Sequence, residues 1–219
     1  MDGNVRDGKK LEMVGVAGKN YPTAKQAIDD TYTTRDGENV STNLTPNENL
    51  FSVDILASKN ILDVGCGIGR NLKWIMENTE AHYHGLDPNE SMLNFFWQVQ
   101  DNKWKDRVSL YKDFSTFPNI KFDTVVVTFV FQHIGYRTAE HQMNIDDITR
   151  EIRKYTHSGT VWFIFEHSGE ETDWISRWLE NNDINPQVFI KGYKGLEELT
   201  HRDWLVDGGH HLLIWKERK

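Results

Sequence analysis

The chain has 219 residues, 38% of them hydrophobic and 12% aromatic, with 33 acidic against 25 basic side chains and a formal net charge of -8. That length supports one sizeable core and is short for two, and an acidic balance without any Lys/Arg run argues against a broad nucleic-acid footprint. A single cysteine, Cys66, excludes an internal disulfide or a cysteine-rich metal cluster, and no stretch approaches the roughly twenty apolar residues of a membrane span.

No N-terminal apolar segment resembles a signal peptide, so a soluble, cytoplasmic protein is expected. Met1 to Lys19 mix glycine and charge, the composition of a mobile end. Tyr21 to Asp30 can form a short helix through Ala24, Ala27 and Ile28, and Thr31 to Asn49 read as a polar loop. Residues 1–50 are therefore expected to be an N-terminal extension, either a linker or a lid, ahead of one domain over 51–219.

The chain then turns on Ile61 to Arg70, which read Ile-Leu-Asp-Val-Gly-Cys-Gly-Ile-Gly-Arg. An apolar run to Val64, alternating glycines at Gly65, Gly67 and Gly69, and helical spacing of Leu72, Ile75 and Met76 predict a buried strand, a tight turn and a helix. Glycines there let the backbone close on a ligand, and a helix start offers unpaired N–H donors. The dinucleotide fingerprint requires its third glycine at position 70, where Arg70 stands, and the Gly-Lys-Ser/Thr of a phosphate loop is missing. Asp63 would repel a diphosphate at this place but suits a ligand with an amino group. A second short strand, His82 to Leu86, ends at Asp87, where an acid can accept two hydrogen bonds from a ribose diol.

These residues resemble the class I S-adenosylmethionine-dependent methyltransferases. Asp63 to Gly69 match the family's cofactor loop and Gly85-Leu86-Asp87 its ribose acid. Lys112-Asp113-Phe114 looks like the adenine-binding stretch, and Phe122 to Val125 through Gln132-His133-Ile134 like the fourth strand and its exit. The likeness runs from about Asn60 to Glu166. It implies S-adenosyl-L-methionine as cofactor, S-adenosyl-L-homocysteine as product, and cofactor contacts at Asp63, Gly65, Cys66, Gly67, Gly69, Asp87, Pro88, Met92, Asp113, Phe114, Thr128 and His133.

Strands are predicted at Asn60 to Val64, Tyr83 to Leu86, Val108 to Tyr111, Thr124 to Phe129 and Thr160 to Phe165. Helices are predicted at Arg70 to Glu77, Ser91 to Gln100, around Ile145 to Tyr155, and at Glu171 to Asn181. Such alternation gives a parallel sheet with helices on both faces. Gln187 to Lys191 and His210 to Lys216 are strand-like with no long helix between, so they should run antiparallel. The expected fold is a three-layer, doubly wound α/β sheet of seven strands whose last strand is reversed.

Ligands of such sheets sit beyond the carboxyl ends of the strands, which selects the glycine loop, Asp87, Asp113 with Phe114, Thr128 to Ile134, and Glu166 with His167. Asp113 could accept from an adenine amino group or merely cap a helix. His133 is a candidate base or a structural histidine. Glu166 and His167 are expected to face the acceptor, as base, recognition group or plain surface. His210 and His211 are adjacent on a strand and point to opposite faces, so they form no joint metal site.

The sulfonium of the cofactor is already an activated electrophile, so alignment can carry much of the catalysis. Methyl transfer to O or N of a small-molecule acceptor is the expected activity. The alternatives are a protein or nucleic-acid methyltransferase, for which the Asn/Asp-Pro-Pro-Tyr/Phe signature of base and glutamine methylation is missing at Thr128 to Phe131, and a non-catalytic nucleoside-binding module.

Overall fold

The structure, a computed structural model, describes residues 5–6, 9–10, 22–26, 52–134, 143–167, 173–191 and 210–218. The expected lid over Tyr21 to Asn49 lies outside these residues apart from 22–26. Val5–Arg6 and Lys9–Lys10 pair antiparallel as a separate two-stranded ladder.

Seven strands form the main sheet: β1 Asn60–Val64, β2 His82–Leu86, β3 Val108–Tyr111, β4 Phe122–Thr128, β5 Thr156–His167, β6 Val188–Lys191 and β7 His210–Lys216. Their spatial order is β3-β2-β1-β4-β5-β7-β6. Pairs from β3 through β5 are parallel, while β7 runs antiparallel to both β5 and β6. The reversed strand is thus last in the chain and sits second from the edge of the sheet.

Helices cover both faces. Ile55 of α1 (Ser52–Leu56), Leu72, Ile75 and Met76 of α2 (Leu72–Asn78) and Phe96 of α3 (Glu90–Val99) pack on Ile61, Tyr83, Val126, Phe163 and Ile214. On the other face, Phe131 of α4 (Phe131–Ile134), Ile145, Ile148 and Ile152 of α5 (Ile145–Arg153) and Trp178 of α6 (Asp173–Asn181) meet Leu62, Val125, Val127, Trp162 and Trp215. Strand alternation makes this possible, since neighbours such as Val125 and Val126 serve opposite faces. Among the described residues no helix is long and apolar enough to cross a membrane.

Most helices and strands differ from their expected limits by one or two residues, and the larger departures lie at β5 and the exit of β4. β5 begins at Thr156 rather than Thr160, because the polar His157-Ser158-Gly159 stretch stays in the strand with Gly159 at φ 104° and a register irregularity opposite Phe122 to Thr124. β4 stops at Thr128, one residue early, because Phe129 turns to φ 57°. The short helix α4 then starts where no helix is expected.

Candidate active site

The carboxyl ends of β1, β2 and β3 are laced together by their own backbone. Gly65 N–H and Cys66 N–H donate to Leu86 O at 2.7 and 3.2 Å, and Asp87 N–H donates to Tyr111 O at 3.0 Å. The three loop glycines have positive φ, at 67°, 53° and 91°. They serve two ends. A Cβ on Gly65 would stand 2.3 Å from Val130 Cγ2, and one on Gly69 would stand 2.7 Å from the Phe96 ring, so these two seat the loop against the protein. Among the described residues, a Cβ on Gly67 would meet nothing within 4 Å. The loop therefore leaves open space at its middle glycine.

Asp87 organises that space. Its Oδ2 accepts from Gly67 N–H and its Oδ1 from Asn89 N–H, both at 2.8 Å. Burial raises its pKa to about 6 against the pull of those two N–H groups. Each oxygen keeps acceptor capacity for a further donor. Pro88 follows in the turn into α3, which Asn89 caps by accepting from Ser91 and Met92 N–H. Met92 itself packs against Ile68 of the loop.

Behind the loop lies a sealed polar cluster. Asp63 is fully buried; its Oδ2 accepts from the Tyr83 hydroxyl at 2.6 Å and its Oδ1 from Asn71 Nδ2 at 3.0 Å. The same Asn71 amide donates to Thr128 Oγ1 at 3.0 Å, tying the ends of β1 and β4 to the start of α2. Burial pushes the Asp63 carboxyl to about 7; the two hydrogen bonds oppose this, Asp87 nearby adds to it, and Arg70 opposes it. Burial also pushes the Cys66 thiol up, so it stays protonated.

Asp113 caps the short 3-10 turn Phe114–Thr116, accepting from Ser115 N–H at 2.8 Å and from the Ser115 hydroxyl. Phe114 is buried against Phe117 and Tyr155. At the β4 exit the Phe129 ring packs edge-on to Phe165 at 5.1 Å, with the Arg70 guanidinium 5.2 Å from its centroid. His133 is exposed on α4.

Glu166 is placed differently from the expectation that it faces an acceptor. It is fully buried, and its Oε1 accepts from both Val130 and Phe131 N–H at 2.9 Å. Alternation along β5 puts it on the face of Trp162 and Ile164, beneath α4. His167 ends the strand opposite His210, and its side chain falls outside the described part. His211 is buried.

Sequence reasoning overlooked Tyr83 and Asn71. Their signal was available: a tyrosine one strand over from Asp63, and an amide immediately ahead of the inward-facing Leu72.

A doubly wound sheet with this strand order, a glycine turn after its first strand and a half-buried acid after its second has the architecture of a nucleotide- or nucleoside-binding α/β domain. Residues 62–161 match the family model described as a methyltransferase domain. The chain is 28% identical over 160 residues to an uncharacterised protein of Haemophilus influenzae, covering 68% of this chain and 59% of that one. It is 26% identical over 182 residues to a tRNA U34 carboxymethyltransferase of Idiomarina loihiensis, covering 70% and 54%. The chain thus spans little more than half the length of these curated relatives. Among solved structures, StiE O-MT superposes with a TM-score of 0.57 at 18% identity, over 77% of this chain and 72% of that one. Residues 62–161 thus resemble a methyltransferase domain, and the chain shares the fold of solved S-adenosylmethionine-dependent methyltransferases.

Proposed function

We propose that the enzyme transfers the methyl group to an oxygen or nitrogen of a small-molecule acceptor. The observation that carries the acceptor class is the charge distribution. The chain bears a formal -8, and among the described residues seven Lys and Arg side chains sit in ion pairs with carboxylates, including Lys112 with Glu90, Arg153 with Glu217 and Lys216 with Asp54. Such a surface is poorly suited to a polyanion, whose binding rests on clustered unpaired cations.

The bound cofactor supplies a methyl group activated on a sulfonium. The open space at Gly67 supports the glycine loop as its cradle. In this reading Asp63 orders the loop and attracts the amino group, and Asp87 uses its remaining lone pairs on the ribose diol. Asp113 and Phe114 take the adenine, with Pro88, Met92, Thr128 and the Cys66 backbone completing the lining. His133, exposed beyond the β4 exit, takes the proton of an acceptor hydroxyl. Phe129 and Phe165 give the neighbouring wall an aromatic surface that excludes water.

A second reading, a nucleic-acid acceptor, is favoured by the relative that bears a tRNA carboxymethyltransferase name. The test supplies methyl-labelled S-adenosylmethionine with the small-molecule, RNA and protein fractions of a cell extract in separate reactions. Label in the small-molecule fraction supports the proposal. Label in RNA establishes the second reading, and binding of S-adenosylhomocysteine without transfer to any fraction leaves a nucleoside-binding module.

A further inference from the structure

The buried carboxylate of Glu166 lies outside the roles given above, and what it holds is a joint between two halves of the site. β4 and β5 run parallel with Thr128 opposite Phe165, so Glu166 stands one residue beyond the last strand pair, where β4 leaves the sheet. There the backbone reverses. Phe129 takes φ 57°, a left-handed conformation that bulky side chains adopt at a cost, while its N–H still donates to Phe165 O at 2.8 Å. The next two N–H groups, of Val130 and Phe131, have no strand to bond and converge on Glu166 Oε1. An apolar residue at 166 would leave two buried donors unpaired, a condition native structures avoid.

The turn so fixed reaches the cofactor loop through one side chain. Val130 occupies the place a side chain at Gly65 would take, with both Cγ atoms inside 3 Å of that Cβ position. Gly65 in turn holds the loop to β2 through Leu86 O. The contact runs from Glu166 to the Val130 backbone, from the Val130 side chain to Gly65, and on to the open cradle at Gly67.

We propose that Glu166 is a positioning residue for the cofactor cradle: by accepting both N–H groups of the β4 exit turn, it presses Val130 onto Gly65 and fixes the loop that receives S-adenosylmethionine. The inference rests on the glycine loop as the cofactor cradle and is independent of the acceptor.

The test combines S-adenosylhomocysteine titration with amide hydrogen exchange on E166L, E166Q, V130A and the E166L/V130A double variant. Each is measured well below its own melting point. Expected are an affinity loss of at least about tenfold in E166L, recovery of most of it in E166Q, whose amide oxygen can accept the same two N–H groups, and a double variant no weaker than E166L alone. Val130, Phe131, Gly65 and Cys66 amides should lose protection together in E166L. Unchanged affinity in folded E166L, additive losses in the double variant, or E166Q as weak as E166L overturns the proposal. If E166L does not fold, V130A decides: weaker binding with faster exchange at Gly65 and Cys66 upholds the joint, and wild-type values for both overturn it. A wild-type protein that binds no S-adenosylhomocysteine refutes the cradle instead, and the exchange data still report whether residue 166 governs the loop.

Discussion

The Tyr83 hydroxyl donates to Asp63 Oδ2 across 2.6 Å, and both side chains are sealed from solvent. Beneath the cofactor loop this bond works against burial, favouring the ionised form of a carboxyl that desolvation holds at about 7. Tyr83→Phe removes it and leaves Asn71 as the remaining donor described there. The Asp63 pKa should rise further, and folding stability should fall by about 1–2 kcal/mol. If the cofactor's amino group needs the carboxylate, S-adenosylhomocysteine should bind Tyr83→Phe several-fold more weakly near neutral pH and recover in alkali. Calorimetric titrations from pH 6 to 9 read this directly; superimposable pH profiles for variant and wild type would detach Asp63 from ligand charge.

Stability without ligand should carry two opposed pH signatures. Asp63 and Asp87 have folded pKa values raised from 3.8 to about 7 and about 6, so the folded chain binds more protons than the unfolded one across that window. Their contribution is present below about pH 4 and lost as pH rises through 6 to 7. His84 is the reverse. Buried between Tyr111 and Phe122, with His82 close by, it is lowered from 6.5 to about 4, and its contribution is lost as pH falls from 6.5 toward 4. Asp63→Asn should therefore raise the urea midpoint at pH 8, and His84→Gln should flatten the decline below pH 6. Midpoints at pH 4.5, 6 and 8 separate the two; a high-pH decline that survives in Asp63→Asn would place its source elsewhere.

Gly65→Ala and Gly67→Ala should fail in different ways. Both force alanine into positive φ, worth about 1 kcal/mol. At position 65 the methyl also meets Val130 at 2.3 Å, so the loss of stability should reach about 2–4 kcal/mol and be partly relieved by adding Val130→Ala. At position 67 the methyl meets no atom of the described residues within 4 Å and enters the proposed cradle. Stability should fall only slightly while S-adenosylhomocysteine affinity drops by about tenfold or more. Thermal melts paired with titrations check both, and equal affinity losses at equal stability cost would undo the distinction.

His133→Ala addresses proton removal. With an acceptor hydroxyl as substrate, turnover should fall by about 10²-fold, the scale of general base catalysis, with cofactor affinity nearly intact. The pH–rate profile should lose its acidic limb. Full turnover in the variant would leave alignment as the source of rate, as an amine acceptor already neutral allows.

Much of the fold was legible because short runs rich in apolar residues end sharply at polar or turn residues. Asn60–Val64, Val108–Tyr111 and His210–Lys216 have the limits that pattern predicts. The hidden parts share a physical cause. Strand β5 extends through His157, Ser158 and Gly159, where the backbone ladder continues although the apolar pattern has stopped. The turn at Phe129 rests on a residue type that rarely takes positive φ, and the acid stabilising it is 36 residues away in sequence. Glu166 was read by its place at a strand end, whereas its parity with Trp162 and Ile164 sends it inward. Asp63 and Asp87 were visible as acids in the right places. The partners that set their charge are Tyr83 and Asn71 for one and Gly67 and Asn89 for the other, and neither motif names them as partners.

The seat of β7 between β5 and β6 gives the order of synthesis a structural meaning. Translation makes Val188–Lys191 before His210–Lys216, yet among the described residues β6 joins the sheet through β7. Until His210–Lys216 is made and released, the edge of β5 that β7 covers stands bare. A pause in that interval, or a premature stop before codon 210, would present an unpaired apolar strand to other chains, the species most prone to aggregate. Expression of such truncations should yield inclusion bodies rather than a smaller folded domain.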